Sequence, residues 1–181
     1  MTDLLRRARS ITSPMAHRVS GATALPLVAR LHVVARVGRE RFAFPVADVD
    51  EARDEPEVTW APGAQGGFVG QLHSRDTNVS AYDAGWALGI ARASRAGGGA
   101  LVLKRGTTRV AIVVDDVEDL MMVEPQWVRR VPGGTDPDAV LSGVCRAPRQ
   151  LGGLICLVRV EALTRAIDAL ALASMAATAS P

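Results

Sequence analysis

Two runs of carboxylates are the first candidates for chemistry: Asp48, Asp50, Glu51, Asp54, Glu55 and Glu57, then Asp115, Asp116, Glu118, Asp119 and Glu124. Paired carboxylates across a cleft can act as general acid and base in a hydrolase. Oxygen-rich loops can also hold Mg²⁺ or Ca²⁺, but neither run has EF-hand spacing. Both runs follow the same kind of apolar strand, so duplicated surface loops account for them with fewer assumptions. His17, His32 and His73 are far apart, and no pair has metal-ligand spacing. His32 falls on the polar side of its strand pattern and reads as a surface histidine. Cys145 and Cys156 form no CxxC site. Cys156 lies in the apolar run Leu154–Val158, where cysteine acts as a small hydrophobe. Gly63-Ala64-Gln65-Gly66-Gly67 is followed by neither a lysine nor a helix start, so it is no phosphate cradle.

The elements that would position these groups are mostly strands. The chain has 181 residues, enough for one domain with a real core. Seven aromatic residues and a net charge of +2 exclude a base-stacking or phosphate-tracking nucleic-acid binder. No apolar run is long enough to span a membrane, and the arginines at 6, 7 and 9 have no apolar stretch behind them. The chain therefore reads as cytoplasmic, with a basic N-terminal tail over 1–24. Leu31, Val33, Ala35 and Val37 alternate with Arg30, His32, Val34 and Arg36, the mark of a half-buried strand. Gly38-Arg39-Glu40 reverses it into a second strand through Phe42 and Phe44, with Pro45 favouring a sheet edge. Val160, Leu163, Ile167, Leu170 and Ser174 form one helical stripe, predicted to pack on the second of two barrels.

An internal repeat organises these strands. A shift of 68 residues superposes Gly38 on Gly106, Arg41 on Arg109, Phe44 on Ile112, Val49 on Val117 and Asp50-Glu51 on Glu118-Asp119. Glu55-Pro56 is echoed by Glu124-Pro125, and a tryptophan follows in each half, Trp60 and Trp127. The fold class is thus all-β: two similar small units, each with too little apolar surface to stand alone, packed together as barrels. Gly97-Gly98-Gly99 reads as a flexible joint between them. Edge strands, acidic loops and the pair Met121-Met122 suit partner docking, unless those methionines are core.

The ordered set of motifs resembles the CheW-type chemotaxis adaptor domain. The match runs from Arg41-Phe42-Ala43-Phe44-Pro45-Val46-Ala47-Asp48-Val49-Asp50-Glu51, through Gly67-Phe68-Val69-Gly70, to Ala111-Ile112-Val113-Val114-Asp115-Asp116-Val117. It continues over Leu141-Ser142-Gly143-Val144 and Leu154–Leu163, covering about residues 28–175. The resemblance implies two intertwined five-stranded SH3-like barrels with a C-terminal helix, no catalysis and no cofactor. It places the domain at 25–176: a first barrel at about 37–96, a second at about 28–36 plus 97–160, a helix at about 161–176 and a tail at 177–181.

The implied partners are the regulatory domain of a CheA-type histidine kinase and the cytoplasmic tip of a chemoreceptor, with no nucleic acid and no membrane insertion. Such a protein would be cytoplasmic and recruited to membrane-associated receptor arrays. Carried over by position, the receptor-binding residues are Val49, Glu51 and Arg75, with Val117 and Leu120 in the second half. The family's N-L-R-G turn is His73-Ser74-Arg75-Asp76 here, so Asp76 takes the place of a glycine in a turn that calls for left-handed geometry. The family's acidic or amide position near the end of the last strand is Arg159. The same fold could serve pilus motility or polar localisation. A small-molecule- or metal-binding barrel using the acidic loops is the rival from another class.

Overall fold

The computed structural model describes residues 29–63, 65–91, 98–147 and 152–178; the N-terminal stretch 1–24 lies outside them. The chain runs β1 (Arg30–Val37), β2 (Glu40–Pro45), β3 (Val49–Asp54), β4 (Val58–Trp60), β5 (Phe68–Ser74), β6 (Thr77–Asp83) and a short helix α1 (Ala84–Leu88). The second half repeats the order as β7 (Gly99–Arg105), β8 (Thr108–Val114), β9 (Asp116–Val123), β10 (Leu141–Arg146), β11 (Leu154–Val158) and α2 (Val160–Thr178). The second half's counterpart of β4 is a single bridge, Arg129 to Val144.

The two halves exchange their first hairpins. One sheet has the order β10-β11-β2-β1-β9, and the other β3-β7-β8-β6-β5-β4. Hairpin β1–β2 thus completes the barrel of β9–β11, and β7–β8 completes that of β3–β6. The joins are two parallel pairings at equivalent places, Cys156 beside Phe42 and Tyr82 beside Ile112. These are two intertwined SH3-like barrels, five strands in one and five plus the short β4 in the other. The expected division at 37 and 97 is corrected by this exchange: β2 stays with β1, and β7–β8 belong with the strands of the first half.

Both exchanged hairpins are buried on both faces, which the alternating pattern did not reveal. Val33, Ala35, Phe42 and Phe44 join Leu101, Leu103, Val110 and Ile112 in the largest apolar cluster, which draws on both sheets and both helices. The opposite faces line barrel interiors: Val34 and Ala43 in one, Val102 and Ala111 in the other. His32 is consequently not a surface histidine. It is 6% exposed, its ring Nδ1 lies 2.9 Å from the Arg30 carbonyl, and burial lowers its pKa below the ordinary histidine value.

Other expectations are corrected in the same way. Pro45 does not mark an edge strand, because β2 sits mid-sheet. The proline ends β2, beyond Ala43, where the pairing with β11 stops. Gly98 is not a loose joint either. Its N–H bonds the Asp115 carbonyl, its own carbonyl accepts from the Glu55 N–H, and Gly99 already belongs to β7. Helix α2 buries Val160, Leu163 and Ile167, but Leu170 is exposed. It packs against β7 and α1, and so against the first half's sheet, which β7–β8 complete, not on the second barrel. Met121 is buried and Met122 exposed. Cys145 and Cys156 pair with Ile155 and Val144 on β10–β11, which places them on opposite faces of that ribbon, and burial raises both thiols.

Candidate functional site

Strands β3 and β9 each begin with a bulge, where one residue is skipped by the partner strand. Val49 pairs with Leu103 and Glu51 with Val102, leaving Asp50 between them; Val117 pairs with Ala35 and Asp119 with Val34, leaving Glu118. A bulge re-aims the skipped side chain. Here each one turns to an arginine of the other half. Glu118 Oε2 accepts from Arg41 Nε at 2.6 Å, and Asp50 Oδ2 lies 3.3 Å from Arg109 Nη1. Arg41 and Arg109 are themselves the repeat pair on β2 and β8. The two ion pairs are therefore one interaction used twice, each tying an exchanged hairpin to its host barrel.

Around Asp50 the network widens into an exposed polar face. Arg75, 57% exposed at its side chain, reaches Asp50 Oδ1 at 3.3 Å. Glu51 is held separately: Ser74 Oγ donates to its Oε2 at 2.5 Å and Arg53 Nε to its Oε1 at 2.5 Å. Arg109 also donates to the Ser74 and Thr77 hydroxyls, and Arg53 Nη1 to the His73 carbonyl at 2.8 Å. The β5–β6 hairpin turns on Arg75 and Asp76, with Ser74 opposite Thr77. The residue in the left-handed region is Arg75 (φ 54), where Asp76 was expected to take that geometry. An arginine held there carries a steric cost that glycine would not.

Glu51 and Arg75 thus share a face, linked through Asp50 and Ser74 and not to each other. Val49 and Val117 stand elsewhere. Both are buried in the shared core, so their side chains present almost nothing to a partner, and half-buried Leu120 packs on the same core. Sequence reasoning matched Asp50 with Glu118 and Arg41 with Arg109 but did not see that they pair across halves. The acidic runs do not converge as a metal site: among the described residues no three His, Cys, Asp or Glu side chains gather around one point. Arg159, the departure near the last strand, donates to the carbonyls of Gly134, Ala139 and Asp136 and anchors the loop before β10.

The sequence pattern of the CheW-like domain matches residues 32–168. The chain belongs to the CheW-like family. The crystal structure of the scaffolding protein TtCheW from Thermoanaerobacter tengcongensis is similar in fold, with a TM-score of 0.61 at 16% identity over 80% of this chain and 93% of that one. No curated protein matches the chain's sequence closely enough to count as a relative. CheW-like domains are non-catalytic scaffolds of chemotaxis signalling, and this CheW-like chain is a scaffold of that kind, not an enzyme. No helix among its described residues is long and apolar enough to cross a membrane.

Proposed function

We propose that this CheW-like chain couples the cytoplasmic tip of a chemoreceptor-type sensor to the regulatory domain of a CheA-type histidine kinase. The observation that carries this reading is the polar face in which Asp50 and Ser74 hold Arg75 and Glu51 side by side. An arginine presented by a fixed carboxylate suits a helical tip that offers an acidic or amide group. Each contact can be weak, because an array multiplies them.

The test is a pair of titrations with the purified full chain, one against a receptor cytoplasmic fragment and one against a kinase regulatory domain, both from the same genome. Saturable binding to both is expected. Arg75→Glu should weaken receptor binding about tenfold or more, leaving kinase binding and thermal stability in place. Absence of binding to either partner at high micromolar concentration would overturn the proposal.

A further inference from the structure

The repeat allows each surface of one barrel to be compared with its counterpart in the other. Register fixes the correspondence: Arg129 lies across from Val144 as Thr59 lies across from Gln71, and Arg146 opposes Leu154 as His73 opposes Asn78. Likewise Met121 lies across from His32 as Arg53 does from Ala100. The same register sets Trp127 at the place of Glu57, so the two tryptophans that echo in sequence are not structural equivalents. In the first barrel this surface is Arg53, Glu57, Thr59, Gln71, His73 and Asn78. Its polar groups engage one another: Arg53 binds Glu51 and the His73 carbonyl, and His73 Nδ1 lies 3.1 Å from Asn78 Oδ1.

In the second barrel the same positions are Met121, Trp127, Arg129, Val144, Arg146 and Leu154, and they line a groove of about 640 Å³. That volume is within the roughly 300–1,000 Å³ range of small-molecule sites. The Trp127 and Leu154 side chains are left 51% and 60% exposed, and Met121 and Cys145 form its buried floor. Among the described residues no carboxylate lines it. The guanidiniums of Arg129 and Arg146 have no hydrogen-bond or ion-pair partner among the described residues, whereas Arg36, Arg41, Arg53, Arg75, Arg109 and Arg165 all hold carboxylates. An apolar trough with two uncompensated cations is complementary to one kind of molecule.

We infer that this groove is a binding site for a small amphiphilic anion, an aliphatic or aromatic body carrying a single carboxylate, sulfonate or phosphate. The body lies over Met121, Trp127 and Leu154, and the anionic head sits between Arg129 and Arg146, which suit bidentate recognition of such oxyanions. The inference does not depend on the polar face around Arg75, which belongs to the other barrel.

The experiment is a calorimetric titration of the full chain with decanoate, repeated with decyltrimethylammonium and with phosphatidylglycerol vesicles by co-sedimentation. Decanoate should bind saturably at one site, and the cationic amphiphile about tenfold or more weakly. Arg129→Glu combined with Arg146→Glu should weaken decanoate by about tenfold or more without moving the melting temperature, since both side chains are exposed and unpaired. Leu154→Asp should do the same through the apolar wall. Equal binding of the two amphiphiles, decanoate binding that survives the arginine reversals, or no saturation at millimolar concentration would each overturn the site. Co-sedimentation with vesicles in the absence of decanoate binding would overturn it in favour of a membrane contact.

Discussion

If the ion pair at Glu118 ties an exchanged hairpin to its host barrel, breaking it should weaken the whole molecule by a calculable amount. Glu118 Oε2 lies 2.6 Å from Arg41 Nε, with side chains 12% and 27% exposed. At an effective dielectric near 20, a pair this close gains about 4–6 kcal/mol of Coulomb energy before desolvation. Desolvation offsets most of that, leaving about 1–2 kcal/mol, the range for a hydrogen bond to a charged group. The perturbation is Glu118→Gln and Arg41→Met, singly and together, followed by urea unfolding. Glu118→Gln should cost more than Arg41→Met, because Glu118 also faces Arg36 Nε at 3.5 Å, so its loss strips Arg41 of its carboxylate and leaves Arg36 with Asp116 alone, at 3.7 Å. A loss of about 1.5 kcal/mol corresponds to roughly 3–6 °C in melting temperature for a chain of this size. The coupling energy of the cycle should be about 1 kcal/mol or more; single effects that add to within about 0.4 kcal/mol would refute the reasoning. The reciprocal pair, Asp50 with Arg109, is longer at 3.3 Å and shared with Arg75, so its coupling should be about half as large.

Arg75→Gly removes the side-chain strain at φ 54 along with an exposed ion pair. Thermal unfolding should show a chain unchanged or up to about 1 kcal/mol more stable, while receptor binding falls; a clear loss of stability would contradict the strain. For His32 the folded pKa lies below the ordinary value of 6.5, so between the two the unfolded chain binds more protons. The stability this histidine confers is therefore complete above about pH 6.5 and declines as pH falls below it. Urea midpoints measured from pH 5 to 8 should show that slope, and His32→Asn should flatten it. Gly70→Ala should cost about 2 kcal/mol or more by the same assay, because a Cβ there would lie 2.1 Å from the Thr59 carbonyl oxygen, where β4 crosses.

The repeat, the hairpin at Gly38, the terminal helix and the all-β class were legible in the sequence because each is a local pattern. The glycines that recur in both halves now have a cause: at Gly70 and Gly143 the crossing backbone of Thr59 and of Arg129 leaves no room for a side chain. What stayed hidden depends on distance along the chain. Cys156 pairs with Phe42 and Tyr82 with Ile112, and no local signal states which sheet a hairpin will enter. That ignorance explains the individual errors. Val34 and His32 read as an outer face because the second barrel's strands that cover them were unplaced. Val49 and Val117 were carried over as partner contacts by resemblance to the family, and their burial in the shared core is visible only once the strands around them are placed. On the candidate face, Glu51 and Arg75 were found by resemblance. Asp50, which holds Arg75, was visible only as one acid in a run.

The exchange of hairpins has a consequence for how the chain is made. During synthesis β1 and β2 leave the ribosome first, yet their neighbours β9 and β11 come last. The first barrel, too, lacks two inner strands until β8 is complete. The first barrel cannot close on the nascent chain before β8, nor the second before β11, so folding is late and dominated by distant contacts, which makes it slow. The same wiring makes the finished protein tolerant of a break. A chain cut between Ala91 and Gly98 has no half that can leave without pulling two central strands out of the other's barrel. Fragments ending and beginning there should therefore reassemble as a non-covalent pair, each being the other's missing core.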